Sequence, residues 1–188
     1  PARYGGRMGA ILNVINREGN IQEVRGSADI SFISTKGLLE GPLPKFRGLK
    51  GSWMISGRRT WLDQLLNRAQ IPNGSKNEDG TDQYYEFPYS FYDYQIKINL
   101  DINPDHRLTY SRFYGDDVVS FSFSDNSQNQ DGNTTITNKN KFNIDWPWGN
   151  KTNGLTWRWI HSPTVVAKTF FSNSRYRFDF DISILDST

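Results

Sequence analysis

The chain has 188 residues, with 22 Lys and Arg against 20 Asp and Glu and a formal charge of +2. So small a balance, with both signs interspersed, excludes an electrostatic nucleic-acid binder, and zero cysteines exclude a disulfide scaffold and thiolate metal centres. No run of about 18 apolar residues exists to make a membrane helix, yet a mean hydropathy of -0.68 leaves a membrane β-barrel open, because such a wall hides its apolar half in alternate positions.

Pro1 is neither an initiator Met nor the start of a signal peptide, so a processed chain or a piece of a longer one is expected. Tyr4-Gly5-Gly6-Arg7 reads as a tight turn, since adjacent glycines permit one. A first strand is predicted over Asn20–Ile33, where Val24, Gly26, Ala28, Ile30 and Phe32 alternate with Glu23, Arg25, Ser27, Asp29 and Ser31. Trp53, Ile55, Gly57 and Trp61 then share one parity, opposite Ser52, Ser56, Arg58 and Thr60. Thr60–Ala69 is read as a strand end running into a loop, although a helical period competes there. The clearest strand is Tyr92–Asn103: Tyr92, Tyr94, Ile96, Ile98, Leu100 and Ile102 against Asp93, Gln95, Lys97, Asn99, Asp101 and Asn103. Leu108, Tyr110 and Tyr114 continue the pattern. The parity changes after Gly115, where Phe121 and Phe123 are odd-numbered, and a bulge is expected there. Leu155, Trp157 and Trp159 make another strand, and Tyr176, Phe178, Phe180, Ile182 and Ile184 alternate with Arg175, Arg177, Asp179, Asp181 and Ser183 in the last. The predicted fold is all-β, an antiparallel up-and-down meander.

The connections sort by length. Short turns are predicted at Pro44–Gly51, Asn103–His106 and Ser162–Val165, all on one side of the meander. Two long polar loops, Asn67–Pro88 and Asp125–Pro147, fall on the other. That sorting, with dense polar residues on one face and aromatic and aliphatic groups on the other, is expected of part of a large transmembrane barrel. Trp53 and Trp61 are eight residues apart, roughly 26 Å along a strand, which at a tilt of about 40° approaches the height between two aromatic girdles. Arg59 and Arg112 have the outward parity; Arg59 fits a rim, while Arg112 calls for a bulge or a snorkelling side chain.

No catalytic constellation emerges. His106 and His161 have no nucleophile paired by spacing, so no enzyme is expected, and no cofactor. Asp125–Asn133 is oxygen-rich but lacks the twelve-residue calcium-loop pattern, and Asp116-Asp117 reads as wet side chains at the bulge, so no metal site is expected. Trp146 and Trp148, flanking Pro147 in a predicted extracellular loop, are the candidate ligand-binding residues, stacking on a sugar ring, or else interfacial anchors.

Pro1–Asn20, with Tyr4-Gly5-Gly6-Arg7 and Arg17-Glu18-Gly19-Asn20, resembles the end of the plug domain of TonB-dependent outer-membrane receptors. Ile33–Leu43 with its Glu40-Gly41-Pro42, Gly51–Asp63 with Ser56-Gly57-Arg58-Arg59-Thr60, Phe91–Asp117 and Trp146–Trp159 resemble successive barrel strands in the same order. The resemblance implies residues 1–19 as the end of the plug and 20–188 as the first ~7 strands of a barrel of about 22. It implies energy-coupled uptake of a scarce nutrient (an iron chelate, cobalamin or a glycan) in the outer membrane of a Gram-negative bacterium. Implied partners are the TonB complex acting through an absent N-terminal region, the nutrient ligand, outer-membrane lipid and a surface lipoprotein; nucleic acid is not among them. Arg7, Arg58, Asp93 and Lys97 are the implied plug–barrel contacts. The competing expectation is a soluble β-sandwich that binds carbohydrate through Trp146 and Trp148.

Overall fold

A computed structural model describes residues 16–44, 48–76, 82–84, 88–131 and 134–187. Its strands are β1 (Arg25–Ile30), β2 (Ser34–Pro42), β3 (Lys50–Thr60), β4 (Pro72–Lys76), β5 (Asp82–Tyr84), β6 (Tyr89–Asp101), β7 (His106–Asp131), β8 (Thr134–Ser162), β9 (Val165–Phe178) and β10 (Asp181–Ser187). One helix, α1 (Leu62–Ala69), follows β3. The main sheet is an open antiparallel meander, β1-β2-β3-β6-β7-β8, with β9 and β10 both on the far side of β8. Because β9 pairs with Trp148–Ser162 and β10 with Lys139–Asp145, the two lie end to end, and the eight strands form seven rails.

The pairing register sorts every side chain onto one of two faces. Ser52, Asn99, Thr109 and Thr156 lie on one cross-strand row, and Trp53, Ile98, Tyr110 and Leu155 lie on the next, pointing to the opposite side. Over β2, β3 and β6 the Asn99 face is polar and covered: Ser52 and Asn99 are fully buried, as is Met54, and Lys97 is nearly so, while over β9 the same face carries the exposed Phe170 and Tyr176. Asn99 is satisfied within its row, accepting from Thr109 Oγ1 at 2.9 Å and donating to Ser52 Oγ at 3.4 Å. The Ile98 face is apolar and bare; Leu39, Ile55, Leu155 and Phe171 all remain exposed. Ile96, Ile98 and Leu100 keep partial exposure beside these exposed neighbours, and among the described residues no element buries them.

Asn67–Pro88 holds the end of α1 and the paired β4 and β5 rather than loop alone, and Tyr176–Ile184 is split between β9 and β10, with Tyr176 and Phe178 on the Asn99 face. Three further expectations need correction. Thr60–Ala69 is not a strand end and loop: β3 stops at Thr60 and α1 begins at Leu62. Leu62, Leu65, Leu66 and Ala69 stand at helical spacing on one side, with Asp63 in the first turn and Arg68 in the last, where each complements the helix dipole. Trp61, expected as a girdle residue on β3, is the residue before that helix, and its indole donates to the Ser31 carbonyl at 3.0 Å. Second, Asp125–Pro147 is not a long loop. β7 and β8 pair without interruption out to Asp131 and Thr134, forming a long hairpin arm. Ser, Asn, Thr and Asp carry no alternation to announce such an arm, but backbone hydrogen bonds need none. Third, there is no bulge at Gly115, since the β6–β7 and β7–β8 registers run through it unbroken.

The change of parity at Gly115 is therefore a change of face. Below it, Leu108, Tyr110 and Tyr114 share the Ile98 face; above it, Val119 and Phe121 share the Asn99 face, beside Trp146 and Ile144. Arg112 needs no bulge either. Its row runs from Leu39, Ile55 and Ile96 on one side to Asn153 and Asn173 on the other. The Arg112 Nε donates to Tyr94 Oη at 3.2 Å, so Arg112 stands where apolar side chains give way to polar ones along the row.

Glycines mark where strands and segments come closest. A Cβ at Gly51 would drive into the Asn99 carbonyl, whereas one at Gly37 meets nothing within 4 Å. Gly51→Val is expected to cost at least about 2 kcal/mol, and Gly37→Val to be neutral or stabilising; urea unfolding followed by tryptophan fluorescence separates the two.

Candidate functional site

The Asn99 face carries two adjoining features. The lower one is a polar seat for the segment Asn16–Asn20. Lys97 Nζ donates to the Asn16 carbonyl at 2.7 Å. Arg17 pairs with Glu40 at 2.6 Å, and Glu18 with Arg107 at 3.0 Å; Arg107 also meets Asp101 at 3.1 Å. Gly19 lies so close to the β3 backbone that any side chain there would collide with the Trp53 carbonyl. The contacts come from β2, β3, β6 and β7, so the segment crosses the wall rather than following one strand. Beside it, Asp29, Lys36, Arg58 and Asp93 line an open polar cavity of about 490 Å³.

The upper feature is aromatic. Trp148 stacks on Tyr89 with ring centres 6.3 Å apart, and Trp146 meets Trp148, Phe178 and Phe180 edge-on at 6.2, 6.0 and 5.9 Å. Tyr89 Oη donates to Asp117 at 2.6 Å, which fixes that ring, and Phe91 adjoins it at 5.6 Å. The Arg58 guanidinium lies 4.6 Å from the Phe91 ring centre while pairing with Asp93 at 2.7 Å, joining the aromatic patch to the polar seat. The register puts Tyr89, Phe91, Trp146, Trp148 and Phe178 on the same side as Lys97 and Asn99. Trp146 is 43% exposed, so part of its ring is open to a ligand.

Of the residues expected to act, Trp146 and Trp148 lie together, but on β8 rather than in a loop. Lys97 reaches the N-terminal segment, whereas Arg58 and Asp93 pair with each other; Arg7 lies outside the described residues. Glu40, Arg17, Glu18 and Arg107 were not anticipated. Glu40 carried a signal, a carboxylate beside Gly41-Pro42 with an otherwise apolar neighbour in Leu39, but nothing local names its partner. Phe178 and Phe180 were legible as strand residues, not as neighbours of Trp146.

No family model, curated protein or solved structure matches the chain.

Removing one partner of a buried ionic contact costs more than the contact contributes, because the other group stays dehydrated. Glu40→Gln and Lys97→Met are each expected to loosen Asn16–Asn20, seen as several-fold faster proteolytic cleavage within that segment. Lys168→Gln, exposed on β9 and away from the seat, should leave the cleavage rate unchanged.

Proposed function

We propose that this chain is the plug-to-barrel segment of a TonB-dependent outer-membrane receptor, a transporter that takes up a scarce nutrient and contributes no catalysis. The single observation that carries this reading is the inverted sheet: over β2, β3 and β6 the polar face is the covered one, with a chain segment lying on it, while among the described residues no layer covers the apolar face. A wall with lipid outside and a plugged, hydrated interior calls for that arrangement.

Two aromatic groups on the Ile98 face add to it. Low on β7 and β8, His106, Trp157 and Trp159 stack, with ring centres 5.7 to 6.3 Å apart. Higher up, Tyr92, Tyr94 and Tyr114 stack at 5.4 and 5.8 Å. His106 and Tyr114 are separated by roughly 26 Å along the strand, a height of about 20 Å at the tilt of a membrane barrel, near the spacing of aromatic girdles. These pairs take over the role first expected of Trp53 and Trp61.

In this reading Asn16–Asn20 is the end of the plug, held by Glu40, Lys97 and Arg107. The long β7–β8 arm rises outside the cell, and the change of face at Gly115 marks where lipid ends. Above that level the outer side meets water and the inner side is free to be aromatic. Trp146, Trp148 and Phe178 then line the vestibule above the plug and stack on the nutrient as it enters. Energy from the TonB complex, applied through the plug, would have to break the ionic contacts of Asn16–Asn20 or move past them.

Fractionation tests the proposal. The protein is expected in the outer-membrane fraction, released by detergent and not by high salt or carbonate; recovery in buffer without detergent would sink it. In the membrane-borne protein, Trp146→Ala is expected to weaken nutrient binding by about tenfold, read by titration, with folding unchanged.

A further inference from the structure

On the outward Ile98 face, two rows above Leu155 and Phe171, Lys151 stands opposite Arg175. Like charges directly across a sheet repel. Both side chains are exposed, and neither has an acidic partner among the described residues. One row higher, Arg177 reaches across β8 to Asp116 on β7 at 3.0 and 3.1 Å. That bridge passes over Gly149, where a Cβ would strike the Asp116 carboxylate. The bare backbone at Gly149 leaves a shallow depression of about 250 Å³ between Tyr114 and these cations. Three cations and one carboxylate thus border it, and the two cations with no carboxylate face each other. The row beneath is Arg112, Asn153 and Asn173, and the row below that is Tyr110, Leu155 and Phe171. The depression therefore sits where hydrocarbon gives way to headgroups, if the outward face meets lipid as proposed above.

We infer that Lys151 and Arg175, flanked by Arg177 and Tyr114, form a site for the phosphate of an outer-leaflet lipid headgroup. An anion between Lys151 and Arg175 turns their repulsion into two attractions, and guanidinium and ammonium groups both donate to phosphate oxygens. Arg177, already neutralised by Asp116, orients the rim. The inference rests on the membrane reading; the charge arrangement does not. A lipid, rather than free phosphate, is the occupant because apolar side chains for its acyl chains begin two rows below, at Tyr110, Leu155 and Phe171.

The test uses the full-length receptor purified in a non-ionic detergent, titrated with phosphorylated lipid A, with the same lipid after dephosphorylation, and with inorganic phosphate. The phosphorylated lipid is expected to bind and raise the unfolding temperature, and the other two to do neither. Lys151→Ser combined with Arg175→Ser should weaken lipid binding about 30-fold without lowering the unfolding temperature of the lipid-free protein, since removing the facing cations relieves repulsion. Lys168→Ser, exposed on the opposite face of β9, should bind as the parent does. Equal binding by parent and double variant, or equal binding of the dephosphorylated lipid, overturns the site. Binding of inorganic phosphate with the same affinity overturns the lipid as its occupant. A parent protein missing from the membrane fraction overturns the membrane reading and the site with it. A parent in that fraction whose lipid binding ignores the double substitution overturns the site alone.

Discussion

Oil on one face of a sheet has to be covered, and here no described part of the chain covers it. Each large aliphatic or aromatic side chain left in water forgoes about 1.5–3 kcal/mol of burial. Leu39, Ile55, Leu155, Phe171 and their neighbours together make a bare face worth more than the whole net stability of an ordinary domain. The opposite face, which holds Asn99, Lys97, Glu40 and Ser52, is the one the chain buries. A water-soluble sheet does the reverse. Strand order, segment path and charge placement all become intelligible once the apolar face is taken to have its partner outside the chain.

The polar face is stable because its groups answer one another. Ser52, Asn99 and Thr109 are linked along one row, and Arg58 meets Asp93 along another. Asn16–Asn20 lies on this face through ion pairs, a carbonyl contact and one close backbone approach, with hardly any apolar burial. Such contacts hold a segment in place yet weaken when water or a competing charge enters, which suits the movable plug proposed above. An apolar joint of the same area would resist being pulled apart without any comparable way to be rehydrated.

Much of this was legible in the sequence. The alternation in Tyr92–Asn103 gives β6 and both its faces, and the meander follows from short turns at Asn103–His106 and Ser162–Val165. The helix was missed because Trp61 continues the parity of Trp53 and Ile55, while the stripe Leu62, Leu65, Leu66, Ala69 spans barely two turns. The upper hairpin was missed because hydrogen bonding between polar strands leaves no periodic trace. The change of face at Gly115 was visible as a parity change, but a bulge explains the same letters, and only the pairing register separates the two. The ion pairs joining Arg17 to Glu40 and Glu18 to Arg107 span 23 and 89 residues (40 − 17 and 107 − 18), and no local pattern specifies them.

The most direct measurement of which face meets lipid is a nitroxide scan along β6, one label at a time from Tyr92 to Asp101, in the protein reconstituted in bilayers. Labels at Tyr94, Ile96, Ile98 and Leu100 should collide readily with oxygen, which concentrates in hydrocarbon, and poorly with a water-soluble nickel chelate. Labels at Gln95, Lys97 and Asn99 should show low oxygen accessibility. A scan with no period of two, or one whose oxygen maxima fall on the odd positions, would contradict the account.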